Sequence, residues 1–352
     1  MPKILRMKNS VYFLLLFVIL FSCKSENNSK EDESTSKEIN VYTHRHYESD
    51  QALFKTFEEQ SGIKVNVINA SADELIQKMV LEGEQSPADV LITVDAGRLH
   101  RAKEKDLLQP ISNATIDSIL PSYLKDVDNH WFALTKRARV LVYAKDRVDP
   151  LELSSYENLA DPKWENRIVV RSSSNIYNQS LMASIIANDG EENAKKWAAA
   201  VVNNMARSPK GNDRDQVKAV AAGEADIAIV NTYYIGKMLN SEDQTELDAA
   251  QKVAVFFPNQ NGRGTHVNVS GIGVAKHAPN KKAAEQFIEY LLSEEAQQIF
   301  ASSNYEYPVH PNVENAPILK SWGSFKEDNL NLSKLGELNK KAVILFDEAG
   351  WK

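Results

Sequence analysis

Cysteine is almost absent from this sequence of 352 residues, in which Cys23 is the only one. A chain with one cysteine cannot form an internal disulfide, so its fold must be stabilised by a hydrophobic core even in an oxidising compartment. Long apolar runs are missing too. The apolar run at residues 11–21 is too short to cross a bilayer, because a membrane-spanning helix needs about 20 such residues.

Common enzyme motifs and an excess of basic residues are also lacking. The sequence contains no Gly-x-Ser-x-Gly elbow, no His-Glu-x-x-His and no Gly-x-x-x-x-Gly-Lys-Ser/Thr loop, each of which would indicate a particular chemistry. The formal net charge is −7, which argues against nucleic acid as a partner. We therefore expect a protein that is not an enzyme and binds no nucleic acid.

The first 22 residues have the layout of a secretory signal. Three basic residues precede the apolar run at 11–21, as signal peptides require. The run ends in Leu-Phe-Ser-Cys at residues 20–23, which is similar to the lipobox where bacterial lipoproteins are cleaved and acylated. We expect residues 1–22 to be a signal peptide and Cys23 to carry the lipid, with a buried thiol as the alternative. The protein would then be lipid-anchored on the periplasmic side of the inner membrane or in the cell envelope.

A polar segment follows the cysteine. Residues 24–38 contain no apolar side chain and cannot bury enough surface to offset the entropy lost on ordering. Together with Cys23 they are predicted to form a disordered tether, residues 23–38. The chain from residue 39 onward is long enough for two medium domains.

From residue 39 the apolar pattern alternates between short β-branched runs and longer stretches of helical period, which is typical of an α/β fold. Ser71 and Glu74 have the spacing of a capping box at a helix start. The predicted strands are at 39–43, 64–68, 88–94, 131–142, 167–170 and 225–230, and the predicted helices at 51–60, 71–81, 176–187, 233–239 and 279–300.

Two stretches interrupt this rhythm, the long strand at 131–142 and the segment from 252 to 275. We interpret them as crossings between two α/β lobes, as in type II periplasmic binding proteins, which close on a ligand by hinge motion. The predicted bounds are 39–135 for lobe 1, with a return segment at about 268–315, and 136–267 for lobe 2, with a C-terminal segment at about 316–352.

Tyrosines occur at three of the predicted strand-to-helix joints, where open α/β sheets bind their ligands. The first joint contains His44, Arg45, His46 and Tyr47; the second contains Tyr177; the third contains Tyr233 and Tyr234. Any one of them is compatible with a tyrosine half-buried at the rim. Four phenols and an imidazole facing one cleft need a shared reason. The five tryptophans lie elsewhere in the sequence, which disfavours a sugar site.

A hard, highly charged cation supplies such a reason. Free phenol titrates near pH ~10, but a bound metal ion lowers the pKa of its ligands, and hard oxygen donors suit hard ions. Ferric iron can therefore bind several phenolates at neutral pH, with His46 or His44 adding one nitrogen. Four phenolates on a trivalent ion leave one negative charge. The arginines considered for balancing it are Arg45, Arg137, Arg139 and Arg171.

The chain resembles the iron(III)-binding solute-binding proteins of ABC importers, a FutA/FbpA-like group within extracellular solute-binding protein family 1. The resemblance is to the tyrosine-rich subgroup that needs no synergistic anion, and it extends over nearly all of the chain that follows the signal. The matching stretches are residues 41–47, 86–99, 136–140, 171–180, 228–234 and 262–271.

The resemblance implies a set of metal ligands, a cargo and a partner. The cargo would be Fe3+, with Fe2+ possible, and the partner an ABC transporter permease to which a monomer delivers the iron. A binding protein for an organic or anionic solute, with cleft tyrosines that stack or donate hydrogen bonds, stays the alternative. The implied ligands are His46, Tyr47, Tyr177, Tyr233 and Tyr234.

Overall fold

A computed structural model describes residues 37–352. The predicted signal peptide, Cys23 and nearly all of the predicted tether lie outside this range. Within it, no helix is both long enough and apolar enough to cross a membrane.

The described residues form ten β-strands, most of them short. They are β1 (Glu38–Thr43), β2 (Lys64–Asn69), β3 (Val90–Val94), β4 (Leu108–Gln109), β5 (Phe132–Ala144), β6 (Ile168–Val169), β7 (Ile227–Asn231), β8 (Val253–Phe256), β9 (Val267–Ala275) and β10 (Tyr307–Pro308).

Fourteen α-helices lie between and after the strands in the same part of the chain. They are α1 (Glu48–Ser61), α2 (Ala72–Glu82), α3 (Ala96–Glu104), α4 (Ala114–Ile119), α5 (Ile176–Asp189), α6 (Glu191–Asn203), α7 (Asp213–Ala221), α8 (Thr232–Leu239), α9 (Gln244–Gln251), α10 (Lys281–Leu292), α11 (Glu294–Asn304), α12 (Pro317–Ser321), α13 (Ser333–Glu337) and α14 (Asn339–Ala349).

The strands pair in the order β2-β1-β3-β9-β5-β7-β6, with β10 and β8 also on β5, and β4 on β9. Strand β1 pairs in parallel with β2 and β3, and β6 pairs in parallel with β7. The pairings of β5 and β9 are antiparallel. Parallel βα units at both ends, with antiparallel strands between them, give the predicted mixed α/β fold, which is confirmed.

Strand β5 joins the two ends of this arrangement. Its first half, to Ala138, pairs with β9, and its second half, from Arg139, pairs with β7 and β8. Successive side chains of a strand point to opposite faces, and both faces of β5 are buried along nearly its whole length. The chain returns from β8 to β9, which is the second crossing. The two-lobe architecture with two crossing strands is thus confirmed, whereas the residue bounds given above for each lobe stay a prediction.

One predicted helix is wrong in its extent. The apolar stripe from 279 to 300 indicated one helix, but the structure has α10 and α11, which are separated at Ser293. Ser293 has extended backbone (φ −64°, ψ 156°), and its side chain accepts a hydrogen bond from the Ala296 amide at 3.3 Å. A serine followed by two glutamates is a helix start, so this local signal interrupts a periodic pattern that runs through it.

Candidate metal site

Each predicted site tyrosine lies at the start of a helix that follows a strand. Tyr47 is the N-cap residue of α1, Tyr177 lies in the first turn of α5, and Tyr233 and Tyr234 lie in the first turn of α8. The Asn175 side chain caps α5 by accepting a hydrogen bond from the Tyr177 amide at 3.0 Å. This cap fixes the direction in which α5 begins and thereby the position of the Tyr177 ring.

The three joints open onto one cavity with a volume of about 320 Å³. All five residues of the predicted ligand set line it. That these side chains coordinate a metal ion stays a prediction. The complete lining is His44, Arg45, His46, Tyr47, Val94, Tyr177, Arg214, Tyr233, Tyr234 and Lys237.

The tyrosine side chains are close to one another. The hydroxyl oxygens of Tyr177 and Tyr233 are 3.4 Å apart, and the ring centroids of Tyr233 and Tyr234 are 4.2 Å apart at an interplanar angle of 31°. Tyr47 lies near α8, since the ammonium of Lys237 on that helix is 3.8 Å from the Tyr47 ring centroid and 5.9 Å from that of Tyr233. Phenols from separate strand-to-helix joints therefore face the same small volume.

The protein raises the pKa of Tyr47, Tyr233 and Tyr234 instead of lowering it. Burial, reinforced by Tyr177, brings the pKa of Tyr234 to about 12. Burial also raises the pKa of Tyr47 and of Tyr233, and the neighbouring tyrosines add to both effects. Buried phenolates would repel one another, so Tyr47, Tyr233 and Tyr234 keep their phenol protons at neutral pH in the free protein. A cation at the centre of the cavity would reverse this balance.

Both histidines of the first joint line the cavity. His46 is exposed, and its ring centroid is 5.8 Å from that of Tyr47. His44 is half-buried, and burial together with Arg98 and His46 lowers the pKa of His44 to about 4. The His44 imidazole is therefore neutral at physiological pH, and its buried Nδ1 has no hydrogen-bond partner among the described residues. The structure thus leaves the Nδ1 of His44 without a competing partner among the described residues, so that it is available as a metal ligand.

Two of the four candidate arginines belong to one buried ion-pair network. Arg45 donates to both carboxylate oxygens of Asp50 at 2.8 and 3.0 Å, and its Nη1 donates to Glu306 at 3.0 Å. Arg137 donates to the hydroxyl of Ser270 at 3.0 Å and lies 3.7 Å from Glu306. The positive charges on this side of the cavity are therefore matched by buried carboxylates.

The other two arginines share one carboxylate. Asp213 pairs with Arg139 at 2.7 Å and with Arg171 at 3.3 Å. The guanidinium carbons of Arg137, Arg139 and Arg171 lie 5.6 to 5.9 Å from the ring centroid of Tyr177. Arg139 and Arg171 together carry two positive charges, of which Asp213 neutralises one.

Sequence reasoning missed three residues at or behind the cavity: Arg214, Lys237 and Asp213. Lys237 is four residues after Tyr233 on α8, a spacing that brings two side chains to one face of a helix, so the sequence held a signal for it. Arg214 and Asp213 belong to α7, a helix that was not among the predicted ones.

A second group of potential metal ligands lies away from this cavity. This group consists of Asp126, Asp128 and His130, each of which has one potential ligand atom within 4.8 Å of those of the other two. The ammonium of Lys103 lies 2.8 Å from Asp126 and 2.7 Å from Asp128. Because Lys103 pairs with both carboxylates and His130 Nδ1 lies 3.2 Å from Asp126, the group is an ion-pair cluster.

Two α/β lobes with a polar cleft at the carboxyl ends of the strands define a solute-binding protein. The family model described as bacterial extracellular solute-binding protein matches residues 85–326. The chain belongs to this family.

Several relatives are similar over nearly the whole chain. Iron uptake protein A1 of Synechocystis sp. is 52% identical over 316 residues, which cover 90% of this chain and 88% of that protein. A structure of Trichodesmium FutA in complex with iron and citrate ligands superposes with a TM-score of 0.88 at 53% identity, covering 90% of this chain and 100% of that one. The ferric binding protein from Campylobacter jejuni gives a TM-score of 0.84 at 45% identity, covering 89% and 100%.

Proposed function

We propose that this chain is the substrate-binding component of an ABC iron importer. It binds ferric iron in the cleft between its lobes and delivers the ion to a permease. The observation that carries the proposal is the convergence of four phenols from three strand-to-helix joints on one cavity of about 320 Å³. Relatives named for iron uptake and ferric iron binding support the same cargo.

In this proposal five side chains coordinate the ion. The phenol oxygens are hard donors that match ferric iron better than ferrous iron, although Fe2+ binding is compatible with the same set. His46 is the proposed nitrogen ligand, and His44, which also lines the cavity, is the alternative. The proposed ligands are His46, Tyr47, Tyr177, Tyr233 and Tyr234.

Charge balance supports Fe3+ as the cargo. Four phenolates and one ferric ion carry a net charge of −1, and the arginine pair that shares Asp213 carries one unmatched positive charge. Lys237, which lines the cavity, adds a further cation next to the Tyr47 ring. The loaded site is then surrounded by enough positive charge to remain stable in a partly buried position.

We propose that the protein works as a monomeric binding protein and not as an enzyme. Its place would be outside the cytoplasmic membrane, held by a lipid on Cys23. A Cys23→Ser variant tests the anchor: we expect it to leave the membrane fraction for the soluble fraction while it keeps its iron affinity. Equal membrane association of both forms would contradict the anchor without touching the iron proposal.

An organic or anionic solute is the second candidate, because Lys237 presents its ammonium to the cavity with no ion pair among the described residues. The two candidate functions predict different binding in the absence of iron: only the second requires the iron-free protein to bind an organic anion. Citrate that binds equally well to the iron-free protein and to a Tyr233→Phe variant would favour the second candidate.

Equilibrium binding of ferric iron, measured in competition with citrate, tests the first candidate. We expect Tyr233→Phe to weaken binding by at least about tenfold, since it removes a charged ligand. Tyr290→Phe is the matched control, because Tyr290 packs on Phe57, with ring centroids 5.5 Å apart, and is not part of the cavity lining. Equal affinities for the two variants and the unaltered protein would rule out the proposed site.

A further inference from the structure

A buried carboxylate, Asp213, lies behind the tyrosines of α5 and α8 without lining the cavity. It is the first residue of α7, it follows the N-cap residue Asn212, and its exposed fraction is 0%. An isolated buried carboxylate is costly unless it is paired and hydrogen-bonded. Its partners therefore indicate what it does.

Three segments of the chain meet at this one side chain. Oδ2 of Asp213 accepts hydrogen bonds from Nη1 of Arg139 at 2.7 Å and from the backbone N–H of Asn231 at 2.9 Å. Oδ1 accepts from Nη1 of Arg171 at 3.3 Å. The carboxylate thus joins strand β5, the segment that leads into α5, and the last residue of β7.

The contacts of Asp213 with Arg139 and Arg171 lead to Tyr177. Arg139 donates its Nη2 to the Asn178 side chain at 2.8 Å, and Asn178 in turn donates to the backbone carbonyl of Arg171 at 2.8 Å. Asn178 is the residue after Tyr177. Both guanidinium groups lie within 6 Å of the Tyr177 ring, at 5.9 and 5.6 Å from its centroid.

The contact of Asp213 with the Asn231 amide leads to the pair Tyr233 and Tyr234. Asn231 is the N-cap residue of α8, yet its own side chain makes no capping hydrogen bond. Its backbone amide is held by Asp213 from outside the helix. Tyr233 and Tyr234 are two and three residues after Asn231. A shift of the Asn231 amide therefore moves both rings.

We propose that Asp213 is a positioning residue for the iron site, which fixes the spacing between Tyr177 and the Tyr233–Tyr234 pair by holding Arg139, Arg171 and the Asn231 amide together. The inference rests on the proposed function, since it concerns the same cavity. Outer partners of metal ligands contribute about 10- to 100-fold to metal affinity in other proteins, and this sets the size of the expected effect.

The test compares Asp213→Asn with Asp226→Asn in the full chain, loaded with ferric iron from ferric citrate. Asp226 is a matched control, because it also pairs with two arginines, Arg147 at 2.7 Å and Arg167 at 2.6 Å, and is not in the cavity lining. We expect Asp213→Asn to lower iron affinity by about 10- to 100-fold and to shift the visible absorption of the loaded protein. Asp226→Asn should change thermal stability alone.

The outcomes separate three possibilities. Unchanged affinity and spectrum in a folded Asp213→Asn variant would overturn the positioning role and leave the iron proposal intact. Failure of the unaltered protein to bind iron would remove both. Should Asp213→Asn fail to fold, Arg171→Gln tests the same link, since this arginine is only partly buried and makes one long ion pair. We expect it to produce a smaller loss with a shifted spectrum, and an unchanged spectrum would overturn the role.

Discussion

Three phenols in this cavity, those of Tyr47, Tyr233 and Tyr234, are harder to ionise than free tyrosine because they are buried among other phenols. The pKa of Tyr234 is raised to about 12, and those of Tyr47 and Tyr233 are raised as well. Proton release therefore has to accompany metal binding. Under the proposed function, the site holds either its phenol protons or the metal ion, and it passes from one state to the other by exchange.

This exchange predicts the direction of the pH dependence. Acidification should weaken ferric binding, by about tenfold per pH unit for each proton released. Because the raised pKa values lie above neutrality, the effect should continue through the whole neutral range. A titration in weak buffer counts the protons directly, and Tyr233→Phe should release one fewer. Iron affinity that is constant with pH would contradict phenolate coordination.

Residue types at the ends of strands were enough to predict the tyrosines and histidines of the cavity lining, but not Arg214 and Lys237. Tyr47, Tyr177 and the tyrosine pair were found because helix starts after strands are recognisable from local patterns. Asp213 was not found. Its contacts are with residues distant in sequence, such as Arg139 and Arg171, and no local pattern indicates which strands will meet.

At the scale of single elements, helix α8 depends on a close approach to Tyr305. A Cβ added to Gly236 would lie 2.6 Å from the Cβ of Tyr305. Tyr305 ends α11 with positive φ, 55°, and a Cβ atom cannot rotate away as the end of a long side chain can. Glycine at this position lets α8, which carries Tyr233 and Tyr234, pack directly on the end of α11.

A Gly236→Ala variant should destabilise the protein by about 1–3 kcal/mol, the usual cost of overpacking. Alanine is the better helix former by about 1 kcal/mol, so destabilisation would show that the clash outweighs helix propensity. Chemical denaturation measures the difference. Gly262→Ala is the control, because its added Cβ would lie at an ordinary 3.7 Å from the Asn259 carbonyl. Equal stability of the two variants would contradict the close packing of α8 on Tyr305.

Element boundaries followed the sequence where capping was strong. The capping box of Ser71 and Glu74 is present at the start of α2, as predicted. The helix predicted for 279–300 failed because its apolar stripe continues through Ser293, where the backbone is extended. Helix α7 escaped prediction although Asn212 and Asp215 also form a capping box.

At the scale of the whole molecule, the tyrosines meet only because β5 and β9 join the two lobes. The α/β class was predictable from alternating periods, and the crossings from the long strand at 131–142. The strand order was not predictable, since the antiparallel insertion of β9 between β3 and β5 depends on contacts between distant segments. We accordingly propose that side chains from both lobes bind one ion.

The visible absorption spectrum of the ferric-loaded protein tests this claim most directly. Phenolate-to-iron charge transfer absorbs visible light, so we expect the protein to become coloured as one iron ion binds. We also expect Tyr47→Phe, at the first joint, and Tyr177→Phe, at the second, each to change the absorption band. A protein that binds one ferric ion and stays colourless, or whose band is indifferent to either variant, would contradict coordination by tyrosines from both lobes.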